Sequence, residues 1–293
     1  MWGLEHMPKR LRFGPAGKPV DLKRADYVRA IEYIATEEGL DALEYEAVRG
    51  VRISQKKAME IKAMANKYDV VLSLHAPYYI NLSSPEKETV EKSIERLKAA
   101  VQAAWWMGAY AVVFHPGYYK GNSSREEAVK RVVEALKPVV EWMKQEGIKG
   151  VWLAPETTGK TSQVGDVDDV IEICRQLDMC RPAVDWAHIY ARYEGQHILS
   201  KDDVLKVVEK FEKELGSEAV KPLHTHFSRI EHGKGGEREH HTLDETEYGP
   251  EFKHVCEAYK EAGVHAVIIS ESPMLDKDAI IMKRICCEEY GYC

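Results

Sequence analysis

No stretch of about 18 uncharged apolar residues occurs anywhere in this chain, so no segment has the length and apolarity of a transmembrane helix. The opening MWGLEHMPKRLRF has neither an apolar core nor a small-residue cleavage site, and the chain reads as a soluble, cytoplasmic protein without membrane contacts. None of its six cysteines stands in a CxxC pair, which argues against thiolate-bound zinc. Disulfides stay compatible with a hyperthermophile cytosol, and the clustering of Cys286, Cys287 and Cys293 suits a staple of the C-terminal tail. Asparagine occurs only at Asn66, Asn81 and Asn122 while charged residues reach 30%, a balance associated with thermostable proteins. An excess of positive charge is also missing. The net charge of −7 argues against a protein that coats nucleic acid through bulk electrostatics, although a local positive footprint remains compatible with it.

What is present is alternation. Short β-branched runs near Leu11–Phe13, Ala42–Tyr45, Val70–His75, Ala111–His115, Gly150–Glu156, Pro182–Asp185, Lys221–His226 and Ala266–Glu271 are each followed by a segment of helical period. Helix starts are marked by side chains able to cap free backbone N–H groups: Ser54, Ser84 with Pro85, Ser124 with Glu127, and Ser200 with Asp203. Eight strand–helix pairs in 293 residues, with no GxGxxG after the first strand, predict a closed α/β (β/α)₈ TIM barrel over an open doubly wound sheet. No linker or low-complexity segment interrupts the chain, so residues 1–293 read as one domain.

In such a barrel the C-terminal strand ends build the active site. Here six consecutive strands end on side chains able to bind metal: His75, His115, Glu156, Asp185, His226 and Glu271. His188 follows Asp185 at the spacing of one helical turn in VDWAHIY. A single strand-end histidine is usually hydrogen-bonded core, and a single carboxylate often caps the next helix. Several carboxylates converging on one rim would repel one another at a large desolvation cost, and a bound cation removes that cost. The mixed His/Asp/Glu set favours zinc, manganese or iron. It holds more ligands than one zinc takes, which predicts a multinuclear centre.

These residues sit in HAPYYINL (75–82), FHPG (114–117), PETTGKTSQVG (155–165), VDWAHIY (184–190), HTHFS (224–228), HHTL (240–243) and SES (270–272). In combination they resemble the endonuclease IV family of apurinic/apyrimidinic endonucleases, a branch of the xylose-isomerase-like barrels. The resemblance implies three ions, usually zinc, with manganese or iron as the alternative at one site. His75, His115 and Glu156 would hold the first ion, and Glu156 would bridge to a second held by Asp185, His226 and Glu271. His188 would hold the third with a carboxylate and a histidine from the loop after strand seven. That loop departs from the family's Asp-x-His pattern: it reads GKGGEREHHTLDE, with Arg238 at the aspartate position. Glu237 with His240 is the pair that keeps HHTL in register, and Glu239 with His241 is its rival.

The implied activity is metal-assisted hydrolysis of the phosphodiester 5′ to an abasic site in double-stranded DNA. It leaves a 3′-hydroxyl and a 5′-deoxyribose phosphate, with Glu156 and Glu271 as catalytic carboxylates and Glu271 orienting or deprotonating the attacking water. Tyr78 and Tyr79 would wedge into the DNA at the missing base, where insertion is easiest. Arg49 and Arg52 would reach the minor groove or its phosphates, and Lys120, Lys160, Arg192, Arg229 and Lys234 would make the rim positive. The enzyme is expected to act as a monomer. A metal-dependent sugar isomerase or epimerase on the same barrel is the alternative, because fold alone does not decide chemistry.

Overall fold

A computed structural model describes residues 11–293, and all eight expected strands are present. They are β1 (Leu11–Pro15), β2 (Ala42–Glu46), β3 (Val71–His75), β4 (Ala111–Phe114), β5 (Trp152–Pro155), β6 (Ala183–Asp185), β7 (Leu223–Phe227) and β8 (Ala266–Ser270). Two parallel four-stranded ladders form, β2-β3-β4-β5 and β1-β8-β7-β6. Two seams join them into a ring. At one, Gly17 N–H donates to Glu44 O (2.9 Å) and Asp41 N–H to Phe13 O (3.1 Å); at the other, Arg181 N–H donates to Leu153 O (2.9 Å) and Thr157 N–H to Ala183 O (3.0 Å). The first seam depends on Gly14, where a Cβ would stand 1.6 Å from the Ala42 carbonyl oxygen. Only glycine permits that approach.

The helices are α1 (Tyr27–Thr36), α2 (Gln55–Tyr68), α3 (Lys87–Met107), α4 (Arg125–Gln145), α5 (Val167–Arg175), α6 (Trp186–Arg192), α7 (Lys201–Leu215), α8 (Phe252–Ala262) and α9 (Leu275–Arg284). Ser54, Ser124 and Ser200 cap α2, α4 and α7 as expected, each accepting a backbone N–H from the third residue on. Ser84 is a correction. Pro85 keeps the chain extended, Ser84 Oγ takes the Glu86 N–H (3.1 Å), and α3 begins at Lys87. None of the helices among the described residues is long and apolar enough to cross a membrane.

Strand side chains alternate with period two between the helices and the barrel lumen. Leu43, Leu72, Leu74, Val112, Phe114, Leu153, Val184, Leu223, Phe227 and Ile268 face outward and pack in the main core beneath the helices. The opposite parity faces the lumen. Its lower layers hold small apolar groups: Ala111, Val113, Ala154 and Ala183 in one cluster, Ala42, Val267 and Ile269 in another. The same parity carries polar residues at the upper end, which is how an ordinary strand pattern delivers chemistry to the rim.

All six cysteines are paired, as Cys174–Cys180, Cys256–Cys286 and Cys287–Cys293. The last two pin the tail, whose Tyr292 is buried and donates to Val264 O (2.7 Å).

Candidate metal centre

The lumen parity brings His75, His115, Glu156, Asp185, His226 and Glu271 to one rim, and the start of α6 adds His188. Glu156 is fully buried at its middle. Its Oε2 lies 3.2 Å from His75 Nε2 and 2.9 Å from His115 Nε2, and its Oε1 lies 3.1 Å from His226 Nδ1. His226 Nδ1 is also 3.1 Å from Glu271 Oε1. Asp185 divides its carboxylate between two tasks. Oδ1 caps α6 by accepting the His188 N–H (2.8 Å), while the buried Oδ2 has no hydrogen-bond partner.

Ring orientation bears on whether these residues fit metal. A carbonyl oxygen only accepts, so His75 Nδ1 donates to Ala76 O (2.8 Å) and His188 Nδ1 to Thr157 O (2.9 Å). The remaining nitrogen, Nε2, then faces Glu156 in His75 and Glu237 in His188, the latter at 3.6 Å. His240 Nδ1 bonds Ser228 Oγ (2.6 Å), leaving Nε2 at 3.9 Å from both Glu237 Oε1 and Glu271 Oε2. Pinning one nitrogen and presenting the other is what outer partners do for metal-ligating histidines. Three overlapping donor groups result: His75/His115/Glu156, Glu156/Asp185/His188/Glu271 and His188/His240/Glu271. The donor set, its pinned rings and the orphaned Asp185 oxygen fit divalent ions of the zinc class.

Without ions, protons balance the charge. Burial works against ionisation of Glu156, yet the surrounding histidines, His226 foremost, hold its carboxyl well below the ordinary range. Glu271 is likewise opposed by burial but brought down to about 2 by His226. His75 is disfavoured as a cation by burial, and its hydrogen bond to Glu156 lifts it to about 10. Asp185 is pushed up, because burial and its acidic neighbours Glu271 and Glu156 outweigh His188.

The loop after β7 is a hairpin, Arg229–Gly233 paired with Gly236–His241. Its register runs Glu231 opposite Glu239 and then His232 opposite Glu237, so Arg238 is an extra, bulged residue. The bulge moves Glu237 onto the face of His240. Glu239 and His241 fall on the other face beside Glu231, where His241 stacks on Tyr248 at 3.7 Å and contacts Glu245 at 3.0 Å. Arg238 turns outward to Glu231 (3.1 Å). The bulge therefore brings Glu237 to His240.

Tyr78 and Tyr79 are both 48% exposed but differ in setting. Tyr78 stands over the centre, 5.1 Å from the His75 ring and 5.5 Å from the His115 ring. Tyr79 packs under the Arg96 guanidinium at 4.5 Å. Arg49 and Arg52 are exposed on the loop beside them, which is joined to the tyrosine loop by Tyr78 N–H donating to Val48 O (3.2 Å). Lys120, Lys160 and Lys234 are exposed as expected. Arg192 and Arg229 are not. Arg192 is buried, donating to Lys160 O (2.7 Å), Gln163 O (3.1 Å) and Thr158 O (3.3 Å). Arg229 is buried against Leu243 O (2.8 Å) and Glu251 (3.0 Å). Rim loops whose carbonyls lack strand partners need such donors, so these two arginines hold loops in place and offer no charge to a ligand.

The sequence reading missed Glu44, Glu46 and His224. Glu44 is fully buried one layer below the centre, and Glu46, paired in register with His75, has a buried oxygen without a partner. The available signal was period two: Glu44 with Glu46, and His224 with His226, share the lumen face.

Fold and site together define an α/β-barrel enzyme with a histidine- and carboxylate-rich rim. The chain belongs to the xylose isomerase-like TIM barrel family, whose model matches residues 32–283. It is 37% identical to an uncharacterized protein of Methanocaldococcus jannaschii over 274 residues, 94% of this chain and 96% of that one. It is 28% identical to a probable endonuclease 4 of Aquifex aeolicus over 199 residues, 66% of this chain and 67% of that one. Endonuclease IV from Thermus thermophilus superposes with a TM-score of 0.69 at 20% identity, covering 95% of this chain and 99% of that one. A D-tagatose 3-epimerase-like protein superposes with a TM-score of 0.68 at 22% identity, covering 90% and 95%. The two superpositions establish a shared fold.

Proposed function

We propose that this protein is an apurinic/apyrimidinic endonuclease that hydrolyses the phosphodiester 5′ to abasic sites in DNA. The observation that carries the reading is the set of three overlapping donor groups, His75/His115/Glu156, Glu156/Asp185/His188/Glu271 and His188/His240/Glu271, with His226 Nδ1 3.1 Å from both Glu156 and Glu271. The endonuclease 4 relative supports it. Bound divalent ions of the zinc class would supply Lewis acidity, activating water and neutralising charge on phosphate. His75, His115 and Glu156 would hold one ion, Glu156, Asp185, His226 and Glu271 a second, and His188, Glu237 and His240 a third.

Glu271, 12% exposed at the rim, would orient the attacking water and take its proton. Tyr78 would fill the gap left by the missing base and exclude water from the centre. Arg49 and Arg52, which form no ion pair among the described residues, are free to meet phosphates.

A sugar epimerase is the second reading, favoured by the unpartnered carboxylate oxygen of Glu46 beside Glu156, Asp185, His226 and Glu271. Incubating the protein with an abasic-site duplex and with a panel of ketoses separates the two. Cleavage 5′ to the lesion supports the nuclease, whereas ketose turnover with an intact duplex refutes it.

A further inference from the structure

Beneath the rim lies a second layer of buried polar groups that the proposed chemistry does not use. Glu44 and Ser73 are 0% and 1% exposed, and His224 is 3% exposed. Glu44 Oε1 lies 2.9 Å from His226 Nε2. Glu44 Oε2 lies 2.9 Å from His224 Nε2 and accepts from Ser73 Oγ at 2.7 Å. The far nitrogen of His224, Nδ1, meets the Tyr110 hydroxyl at 2.5 Å. Directionality can be read from chemistry. A carboxylate accepts, so His224 presents Nε2–H to Glu44 and its Nδ1 must then accept from Tyr110, whereas Glu44 Oε1 and His226 Nε2 meet as a close ion pair in which neither buried atom completes a hydrogen bond. A hydrogen-bonded chain runs from Tyr110 through His224 to Glu44, whose other carboxylate oxygen stands 2.9 Å from His226 Nε2, while the second nitrogen of His226 faces Glu156 and Glu271.

This layer could be a cation site in its own right, because Glu44, His224 and His226 each offer a donor atom to one point. The hydrogen bonding of His224 argues otherwise. Both of its ring nitrogens are already engaged, Nε2 by Glu44 (2.9 Å) and Nδ1 by the Tyr110 hydroxyl (2.5 Å), which leaves it no free lone pair for an ion.

We propose that Glu44 is a positioning residue, steadied by His224, Ser73 and Tyr110, which fixes the orientation of His226 and raises its donor strength toward the ion shared with Glu156, Asp185 and Glu271. The proposal rests on the reading of that quartet as an ion site. The lumen makes room for it with alanines at 111, 154 and 183. A carboxylate behind a metal-bound imidazole pins its tautomer and strengthens it as a ligand. His226 is thereby singled out, since His75 and His188 lean on neutral carbonyls instead.

The test is zinc titration of chelator-stripped protein against a chromophoric competitor, with the cobalt-loaded visible spectrum as a second readout. Glu44→Gln keeps size but removes the charge and turns one of the two acceptor oxygens into a donor. It should weaken one zinc equivalent about 10- to 100-fold and shift the cobalt spectrum, leaving the other equivalents unchanged. Glu44→Asp, which keeps the charge, should recover part of the affinity. Tyr110→Phe should weaken the same equivalent by less. Unchanged affinity and spectrum in Glu44→Gln overturn the proposal. So does an additional zinc in the wild type that vanishes in both Glu44→Gln and His224→Gln, which would make the trio a cation site. A wild type that loads zinc but leaves abasic DNA intact refutes the nuclease and spares this inference; a wild type that loads none refutes both.

Discussion

Gly159→Ala isolates the donor pair on the hairpin from everything else at the rim. Gly159 lies in the loop after β5, does not adopt a positive φ, and so accepts alanine without backbone strain. The added Cβ would stand 2.6 Å from Glu237 Oε2, 2.7 Å from Glu237 Cβ and 3.1 Å from His188 Cδ2. Rotating the carboxylate relieves only the first contact. The second involves the hairpin backbone, which is tied to the same loop by Glu237 N–H donating to Gly159 O (3.0 Å). Overpacking of this kind costs about 1–3 kcal/mol. If the strain falls on ion binding, that is about 5- to 150-fold in affinity. The expected result is a barrel that unfolds in denaturant near the wild-type midpoint when metal-free but holds one zinc equivalent correspondingly more weakly, with cleavage falling in parallel. A variant with three equivalents at wild-type affinity would refute the placement of Glu237 against His188.

Four further outcomes follow from the same geometry. His240→Ala and Glu237→Ala should each remove one metal by elemental analysis and most of the cleavage, while His241→Ala stays near wild type; metal loss in His241→Ala alone would assign the site to the other face of the bulge. Tyr78→Ala should weaken abasic-duplex binding by about 1–3 kcal/mol in fluorescence anisotropy with metal content unchanged, and Tyr79→Ala by less, because its ring is engaged by Arg96; equal losses would contradict the distinction. Replacing both Cys256 and Cys286 by serine removes a cross-link spanning 30 residues and should lower stability by roughly 3–4 kcal/mol, and reducing agent should destabilise the wild type in the same direction. His75, raised to about 10 by Glu156, stabilises the metal-free fold fully below its unfolded value near 6.5. That contribution is lost as pH rises toward 10, while zinc binding strengthens over the same interval because the ion must displace the proton; zinc affinity independent of pH between 7 and 9 would count against His75 as a ligand.

The strands were legible because period-two runs and side-chain caps are local signals, and their ends were legible because polar residues interrupt an apolar parity. His115 and Glu156 stand out after AVVF and WLAP for that reason. Glu44 did not stand out. In ALEYE the apolar parity of Leu43 and Tyr45 is plain, but only ring closure decides that the opposite face, with Glu44 and Glu46, looks into the lumen and not to solvent. His224 lay in plain view two residues from His226, but an i, i+2 pair gains meaning only when the opposite strand supplies a carboxylate. The hairpin was the hardest segment. EHGKGGEREHH carries no apolar alternation to set a register, so the bulge at Arg238, which decides between Glu237 and Glu239, could not be read without the paired strand. Arg192 and Arg229 were misplaced for a related reason: a sequence does not show which loop carbonyls lack partners.

The two hydrogen-bonded ladders divide the donors unequally. β2 through β5 contribute His75, His115 and Glu156, whereas β6 through β8 with their loops contribute Asp185, His188, His226, Glu237, His240 and Glu271. Glu156 hangs at the edge of its ladder and reaches across the seam to His226 (3.1 Å) and His188 (3.3 Å). An ion shared by Glu156 and Asp185 would thus rivet the half-barrels where only bridges, not a continuous ladder, connect them. At a hundredfold excess over its dissociation constant such an ion adds about 2.7 kcal/mol to the folded state, concentrated at one joint. Stripping the metal should let that joint breathe first, with the amides of Leu153, Thr157 and Arg181 exchanging with solvent ahead of those inside either half.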